Sequence, residues 1–185
     1  MIPFVSRAGI KLDHALATFA IDVTGLICAD LGCNVGGFVD CLLRRGAAKV
    51  YAIDTGYGAL AWKLRQDPRV IVMERTNAMH AQLPEPVGLV TIDVAWTRQR
   101  RILPPARALL APGGLIVTLI KPHYEAERSL LKNGVLPEQE VPNVLERVKQ
   151  DVCAADLELI QTVISPIRGG KGNVEVLAWL RPKSA

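Results

Sequence analysis

Two aspartates and three glycines in the first third of the chain have the types and spacing to bind a nucleotide-like ligand. Asp30 ends an apolar run, Gly32, Gly36 and Gly37 follow it, and Asp54 ends a second apolar run. Glycines let the backbone turn sharply and approach a ligand, and a helix that opens after them presents free N–H groups. The aspartates lie about two dozen residues apart, where the acid of a βαβ unit meets a ribose diol. The segment therefore predicts a strand, turn, helix and strand around a ribose-bearing cofactor.

The acid before the turn favours one class of cofactor. The dinucleotide fingerprint G-x-G-x-x-G places its middle glycine beside a pyrophosphate, and residues 30–37 lack that glycine. A carboxylate here would repel a pyrophosphate but suits an ammonium group. S-adenosylmethionine carries an α-amino group, a sulfonium and a ribose, so it is the predicted cofactor. A tight βα turn that binds nothing is the alternative.

Two later residues are further candidates for the cofactor site. Tyr57 lies between Gly56 and Gly58, where a pliable loop could lay the ring along the cofactor. Asn77 follows a third predicted strand, and its amide offers both a donor and an acceptor to an adenine edge. The alternatives are ordinary packing for Tyr57 and a turn residue for Asn77.

The elements that position these residues alternate along the chain and predict an α/β fold. Amphipathic spacing predicts a first helix over residues 6–19, with Ser6 as its N-cap. Further helices are predicted over 59–66, 98–110 and 141–155, and a turn over 111–114. Strands are predicted over 26–30, 49–54, 69–73, 87–92, 115–120, 157–165 and 174–180, the last one antiparallel.

This order of elements predicts a mostly parallel seven-stranded sheet with helices on both faces and one antiparallel strand. Asp30, Asp54, Asp93 and Lys121 each close a predicted strand. In such sheets ligands bind beyond the carboxyl ends of the strands, so these four side chains are expected to converge. A lysine that closes a buried strand needs a partner, because an unpaired buried charge is costly.

Composition bounds the class of protein. The 185 residues, half of them hydrophobic, predict one globular domain over 1–185, and a net charge of +4 permits an anionic partner. No apolar run approaches the roughly 18 residues of a spanning helix, and no signal peptide is visible. The four cysteines form no C-x-x-C pair, which predicts neither zinc nor disulfides and suggests reduced thiols in a cytoplasmic protein. No signal indicates an oligomeric state.

Several blocks of the sequence, in order, resemble the FtsJ-like ribose methyltransferases, most closely the TlyA (haemolysin A) type. The resemblance covers nearly the whole chain. The matching blocks are residues 6–12 (SRAGIKL), 30–38 (DLGCNVGGF), 57–65 (YGALAWKLR), 74–77 (ERTN), 92–94 (IDV), 121–122 (KP) and 170–175 (GKGNVE).

The resemblance implies a Rossmann-like class I methyltransferase fold and methyl transfer from S-adenosylmethionine to a ribose 2′-hydroxyl of ribosomal RNA. It implies a catalytic Lys-Asp-Lys-Glu tetrad of Lys11, Asp93, Lys121 and Glu175. Lys11 alone would be read as part of a solvated basic helix face with Arg7. The full set of expected cofactor-binding residues is Asp30, Gly32, Asn34, Gly36, Gly37, Phe38, Asp54, Tyr57, Asn77 and Asp93.

Three departures from the family pattern bear on the RNA. The TlyA type usually carries a small RNA-binding domain in front, and the closeness of the predicted first helix to residue 1 leads us to expect none here. Phosphate contacts are therefore expected from Arg7, Arg98, Arg100, Arg101, Arg168 and Lys171. Residues 94–97 and the pair His123-Tyr124 also differ from the family's usual residues, which leaves the particular RNA open.

Three other functions are open to such a chain. It could bind S-adenosylmethionine without RNA turnover, as a partner or assembly factor, or it could methylate a small molecule, since the fold accepts many substrates. The family's older name suggests a pore-forming haemolysin. The lack of a spanning segment or a basic amphipathic membrane helix argues against the pore.

Overall fold

A computed structural model describes residues 3–183 and places all seven strands in one sheet of order β3-β2-β1-β4-β5-β7-β6. Strand β7 runs antiparallel to both of its neighbours, and the other described pairs are parallel. The predicted fold class is confirmed. The strands are β1 (Ile27–Leu31), β2 (Lys49–Ile53), β3 (Val70–Met73), β4 (Val87–Ile92), β5 (Leu110–Ile120), β6 (Leu157–Ile164) and β7 (Val176–Pro182).

Helices cover both faces of the sheet because successive strand residues point to opposite sides. In β1, Ala29 and Leu31 belong to one buried core and Cys28 to the other. The helices are α1 (Ala8–Thr18), α2 (Gly37–Arg44), α3 (Trp62–Arg65), α4 (Gln99–Ala108), α5 (Pro122–Glu125) and α6 (Val141–Ala154). Helices α1 and α2 pack with Cys28, and α4 and α6 pack with Ala29 and Leu31.

The start of α1 corrects one expectation. Ser6 does not cap the helix: Arg7 is the N-cap residue, and no side chain accepts a capping bond there. The carbonyl of Ser6 instead accepts a hydrogen bond from Gly9 N at 3.2 Å, so the chain already turns before the helix begins. The Ser6 hydroxyl lies where a side chain on Gly37 would have to go, which fixes α1 against the first turn of α2.

Two other elements differ in length from their predictions. The expected turn over residues 111–114 is part of β5, which starts at Leu110 and contains an irregularity before Leu115. Gly113, with a φ of +76°, permits that irregularity within the strand. Helix α3 is shorter than predicted: Ala61 is its N-cap residue with non-helical backbone, and Ala61 N donates a hydrogen bond to Val35 O in the glycine turn at 3.0 Å.

The described part of the chain contains no helix long and apolar enough to cross a membrane.

Candidate active site

Strand register brings the predicted strand-end residues to one edge of the sheet. Leu31 pairs with both Ile53 and Ile92, so the residues after β1, β2 and β4 lie side by side. Across the antiparallel pair, Ile120 lies opposite Val176, which places Lys121 and Glu175 at neighbouring positions. Asp30, which was predicted to close β1, is followed by Leu31 and is the penultimate residue of that strand. The edge therefore carries Asp30 and Asp54 on its β1–β2 half, Asp93 after β4, and Lys121 beside Glu175 on its β5–β7 half.

The first charged pair at this edge joins β4 to β5. The ammonium Nζ of Lys121 lies 2.6 Å from Oδ1 of Asp93, and it also donates to the carbonyl of Val94 at 3.2 Å. Both side chains are largely buried, with 15% and 20% of their surface exposed. The lysine that closes a buried strand thus has the acidic partner that its burial requires.

The second pair joins α1 to β7. Nζ of Lys11 forms an ion pair with Oε2 of Glu175, although the two residues are 164 positions apart. Only 4% of the Glu175 side chain and 12% of the Lys11 side chain are exposed. Gly169 packs so closely against the Glu175 carboxylate that any larger residue there would displace it. Four side chains from four elements thus form two buried lysine–acid pairs.

The glycines of the turn after β1 serve different purposes. Gly32 has a φ of +88°, and an added Cβ would lie 2.6 Å from the carbonyl oxygen of Asp93, so only glycine allows this approach to β4. Gly36 has a φ of +98° and packs against Leu60 and Leu64, away from the edge. Gly37 packs against the turn before α1. The structure therefore gives Gly36 a packing role and brings Gly32 to the candidate site.

Two cavities adjoin at the edge of the sheet and share Gly32, Asn34, Asp93 and Ala95. The smaller one, of about 190 Å³, extends toward α1 and Lys121. The larger one, of about 450 Å³, extends over the end of β2 toward Asn77. Other residues that line the smaller cavity include Ser6, Asp30, Cys33, Gly37, Phe38 and Lys121. Others that line the larger one include Asp54, Gly56, Thr76, Asn77, Met79 and Trp96.

Asp30 is the most deeply buried acid of the site, with 1% of its surface exposed. Its Oδ1 accepts a hydrogen bond from the Thr91 hydroxyl at 2.8 Å. Burial raises the pKa of Asp30 to about 8; the Thr91 bond opposes this rise, and the negative charges of Asp93 and Asp54 add to it. A cationic ligand group in the smaller cavity would favour the ionised carboxylate.

Asp54 is held by the backbone on both sides. Its Oδ2 accepts a hydrogen bond from Asn34 N at 2.8 Å, and its Oδ1 accepts one from Gly56 N at 2.7 Å. These bonds join the turn after β1 to the loop after β2 and aim the carboxylate at the larger cavity. Each oxygen keeps a lone pair for a further donor such as a ribose hydroxyl.

Three of the expected cofactor-binding residues differ in how they lie relative to the two cavities. Phe38 is buried and lines the smaller cavity. The Asn77 side chain lines the larger one, but its Oδ1 accepts a hydrogen bond from Met79 N at 3.0 Å and caps a short 3₁₀ turn. Tyr57 is 72% exposed, lies outside the lining of both cavities, and stacks at 4.3 Å on the guanidinium of Arg75. The structure therefore does not bring Tyr57 to either of these two cavities.

A third cavity, of about 500 Å³, adjoins the second at Trp96 and lies beyond Lys121. Its wall contains an aromatic row in which Tyr124 lies 4.8 Å from Trp96 and 4.1 Å from His123, measured between ring centroids. Arg98, Arg128 and Lys171 also line it. Flat rings next to cations form a surface suited to a nucleotide.

The six predicted RNA-binding residues do not form one cluster. Only Arg98 and Lys171 line the third cavity. Arg100 and Arg101 are exposed on α4, and Arg7 is exposed at the start of α1. Arg168 is exposed but pairs with Glu138 at 2.7 Å.

The loop after β4 is tied to the segment after Lys121. Gln99 N donates to Oε1 of Glu125 at 2.9 Å, and the Gln99 side chain accepts a bond from the Thr118 hydroxyl at 3.0 Å. Burial raises the pKa of Glu125 to about 7, and the Gln99 bond opposes that rise. These contacts hold the aromatic row at a fixed position relative to Lys121.

Sequence reasoning missed several lining residues. Ser6 was expected to cap α1 and instead lines the smaller cavity, together with Cys33. Arg128 had no motif to mark it, because it follows a short helix that the sequence did not predict. A signal existed for Ser6 and Cys33, since both belong to the blocks that carry the family resemblance.

The comparisons with known proteins agree on one family. The model of the family described as FtsJ-like methyltransferase matches residues 4–182. A Bacillus subtilis protein, YqxC, provisionally named an rRNA methyltransferase, is 44% identical over 96% of this chain, and the chain spans 65% of that protein's length. The chain therefore covers slightly less than two thirds of this relative.

Two further relatives cover nearly all of this chain. A Mycobacterium tuberculosis protein named 16S/23S rRNA (cytidine-2′-O)-methyltransferase TlyA is 40% identical over 98% of the chain and 69% of its own length. A solved structure from Streptococcus thermophilus, provisionally titled a hemolysin, superposes with a TM-score of 0.96 at 38% identity. It is matched over 100% of this chain and 69% of its own.

Proposed function

The chain belongs to the FtsJ-like methyltransferase family, and we propose that it transfers a methyl group from S-adenosylmethionine to a ribose 2′-hydroxyl of ribosomal RNA. We further propose that residues 1–185 act as one catalytic domain, and that an rRNA substrate places the protein in the cytoplasm. The observation that carries the proposal is the meeting of two buried lysine–acid pairs at the edge of the sheet, beside two adjoining cavities that are lined, taken together, by three aspartates and Gly32.

The two adjoining cavities fit the chemistry of this cofactor. Asp30 offers a carboxylate to the ammonium group from the smaller cavity, and Asp54 offers lone pairs to the ribose diol from the larger one. Asn77 and Met79, at the far end of the larger cavity, would hold the adenine. When bound, S-adenosylmethionine supplies a methyl group on a positive sulfur, which becomes a neutral thioether once the carbon–sulfur bond breaks.

Lys121 is the proposed base. A ribose hydroxyl is a weak nucleophile until its proton is removed, and Nζ of Lys121 would accept that proton. Only an uncharged amine can do so, and therefore Lys121 must first release a proton to solvent. Asp93 would orient the amine through the 2.6 Å contact and would keep a negative charge near the sulfonium.

Lys11 and Glu175 are the proposed positioning pair for the acceptor hydroxyl. Their ion pair lies at the register position next to Lys121, so a hydroxyl there would meet a donor from Lys11 and an acceptor from Glu175. When the attacking oxygen is held in line with the methyl–sulfur bond, the activation barrier is lower, because the loss of translational and rotational freedom already occurs when the RNA binds. The nucleoside would lie in the third cavity, against the aromatic row of Trp96, Tyr124 and His123.

Ribosomal RNA is the proposed substrate because the M. tuberculosis relative is named as a methyltransferase of 16S and 23S rRNA cytidines. The test incubates the protein with radiolabelled S-adenosylmethionine and, separately, with each ribosomal subunit and each naked rRNA. The proposal expects label in RNA, recovered after complete digestion as a 2′-O-methylnucleoside. Label on a base, or tight cofactor binding without transfer to any of these RNAs, would contradict it.

A further inference from the structure

An exposed surface on the α1–α2 side of the protein joins a largely exposed tryptophan to a group of cations. We call it the Trp62 surface and define it by Phe4, Arg7, Arg44, Trp62 and Lys63. We propose that it docks the RNA strand that runs beside the acceptor nucleotide, with Trp62 stacking on an unpaired base. This inference rests on the proposed function and adds a contact area outside the three cavities.

Charge on the Trp62 surface favours a polyanion. Asp40 is the acid at its centre, and it is almost fully buried. Its two oxygens accept bonds from Arg44 at 3.0 Å, Lys63 at 3.2 Å and Val5 N at 2.8 Å. Arg44 and Lys63 nevertheless keep 50% and 55% of their side-chain surface exposed. Two cations thus share one buried acid, and Arg7 adds a third exposed cation, so phosphates would be attracted.

Trp62 supplies an exposed aromatic ring. It is 71% exposed although it belongs to a helix whose Leu64 is buried against Gly36. The neighbouring backbone is fixed, because Ala61 N donates to Val35 O at 3.0 Å, and the ring is therefore presented from a defined position. Stacking of a base on such a ring contributes about 1–3 kcal/mol in proteins that bind single-stranded nucleic acid.

The Trp62 surface is continuous with the catalytic edge. Val5 N donates a hydrogen bond to Asp40, the buried acid beneath the Trp62 surface. Ser6 lines the same cavity as Lys121, and Lys11 pairs with Glu175. A short stretch of chain, residues 5–11, therefore links the surface to both charged pairs. RNA whose acceptor ribose lay at Lys121 would reach Arg7 and then Trp62 as it left the site.

The composition of the surface favours RNA over a protein partner. Arginine and aromatic residues are enriched at protein–protein interfaces as well, but lysine is depleted there, and Lys63 is one of the cations of this surface. Here the apolar groups are separated by cations, and the guanidinium of Arg44 covers the Phe4 ring at 5.3 Å. Rings that alternate with cations are the arrangement used to follow a single strand.

The test compares Trp62→Ala and Lys63→Gln with a matched control, Lys149→Gln. Lys149 lies on α6 and is 59% exposed, close to the 55% of Lys63. Affinity is measured by fluorescence anisotropy, without cofactor, for the RNA that the wild type methylates, and KM and kcat are measured separately. We expect Trp62→Ala to weaken RNA binding about 5- to 100-fold and to raise KM with little change in kcat.

Lys63→Gln is expected to weaken binding and to reduce the slope of log affinity against log salt by about 0.7, the value for one phosphate on a single strand. Lys149→Gln should leave both unchanged, and none of the three variants should alter the affinity for S-adenosylmethionine.

The inference would be overturned if Trp62→Ala kept the RNA affinity and the KM of the wild type. A sedimentation shift from dimer to monomer with RNA binding intact would also overturn it, because a second copy would then be the partner. Failure of the wild type to methylate RNA is a separate result that refutes the proposed function itself.

Discussion

The two halves of the catalytic edge solve opposite electrostatic problems. On the β1–β2 half, the side-chain hydrogen bonds that Asp30 and Asp54 accept within residues 3–183 come from a hydroxyl and from backbone N–H groups. On the β5–β7 half, Lys121 and Lys11 are each paired with an acid. The first half is thus suited to receive a cation from outside. The second half holds its own cations in place and leaves room for a neutral hydroxyl.

This difference in partners explains why burial has a different cost for the charged side chains of the two halves. An acid that waits for a cationic ligand is costly in its absence, and the raised pKa of Asp30 reflects that cost. A lysine that already has a buried carboxylate partner is satisfied with or without ligand. Under the proposed function the first half binds the cofactor and the second half carries out methyl transfer, and we call them the cofactor half and the transfer half. Substitutions on the cofactor half should therefore affect cofactor binding and pH dependence, and those on the transfer half should affect the rate of transfer.

The largest effect is expected from Lys121→Met, which removes the proposed base but keeps an unbranched side chain. Loss of general-base catalysis should lower the single-turnover rate of methyl transfer by about 100- to 10,000-fold. Because Lys121 belongs to the transfer half, affinity for S-adenosylmethionine should change only a few-fold. Calorimetry and rapid-quench assays measure the two quantities. The comparison of halves fails if cofactor affinity is lost while the rate at saturation is retained.

Asp30→Asn tests the cofactor half through pH. The folded-state pKa of Asp30, about 8, is above its unfolded value, so the folded protein binds the proton more tightly. Stability of the unliganded protein should therefore fall as pH rises from about 4 through 8, by a few kcal/mol in total. Asn cannot ionise, and the variant should lose this dependence while it binds S-adenosylmethionine more weakly at pH 8.

Thermal unfolding of both proteins at pH 6 and pH 8.5, without ligand, measures the effect of Asp30. The expected result is a Tm that drops on going to pH 8.5 in the wild type but much less in Asp30→Asn. Parallel pH curves for the two proteins would show that Asp30 is ionised at little cost. The contrast between the halves would then be wrong.

The transfer half is tested by a double-mutant cycle on Lys11 and Glu175. Glu175→Gln leaves a largely buried ammonium without its partner and should destabilise the fold by about 3 kcal/mol. Lys11→Met together with Glu175→Gln should recover part of that loss, because no uncompensated charge remains. Urea unfolding gives the free energies. Additive single and double variants would mean that the pair contributes no coupling.

Local pattern was enough to predict where Asp30 and Asp54 lie, on the β1–β2 half of the edge. Asp30 and Asp54 are separated by only a few dozen residues, and the βαβ unit between them brings them close to the ends of adjacent strands. The apolar strands and the glycine turn of this unit are both visible in the sequence. The mostly parallel order of the strands also followed from the alternation of elements. Strand β4 has the predicted bounds, since its apolar run stops at a charged residue at the edge.

The transfer half required information from distant parts of the chain. Lys11 and Glu175 meet across 164 positions, and only family resemblance, not periodicity, placed them together. Tyr57 shows the converse limit: its loop follows β2 as expected, but its ring stacks on Arg75 instead of entering a cavity. Side-chain direction in a glycine-flanked loop depends on neighbours that local sequence does not specify.

The smallest predicted effect sharpens the cofactor half by separating two roles of Asn77. Its Oδ1 caps a 3₁₀ turn by accepting a bond from Met79 N, so Asn77→Ala should cost about 1 kcal/mol of stability. Asn77→Asp keeps that acceptor but removes the amide donor that an adenine could use. If capping is the main role, Asn77→Asp retains both stability and a cofactor Kd within a few-fold of wild type. The proposed function expects the other outcome, a Kd raised tenfold or more in Asn77→Asp with stability unchanged, because it assigns the amide of Asn77, in the loop after β3, to the adenine edge.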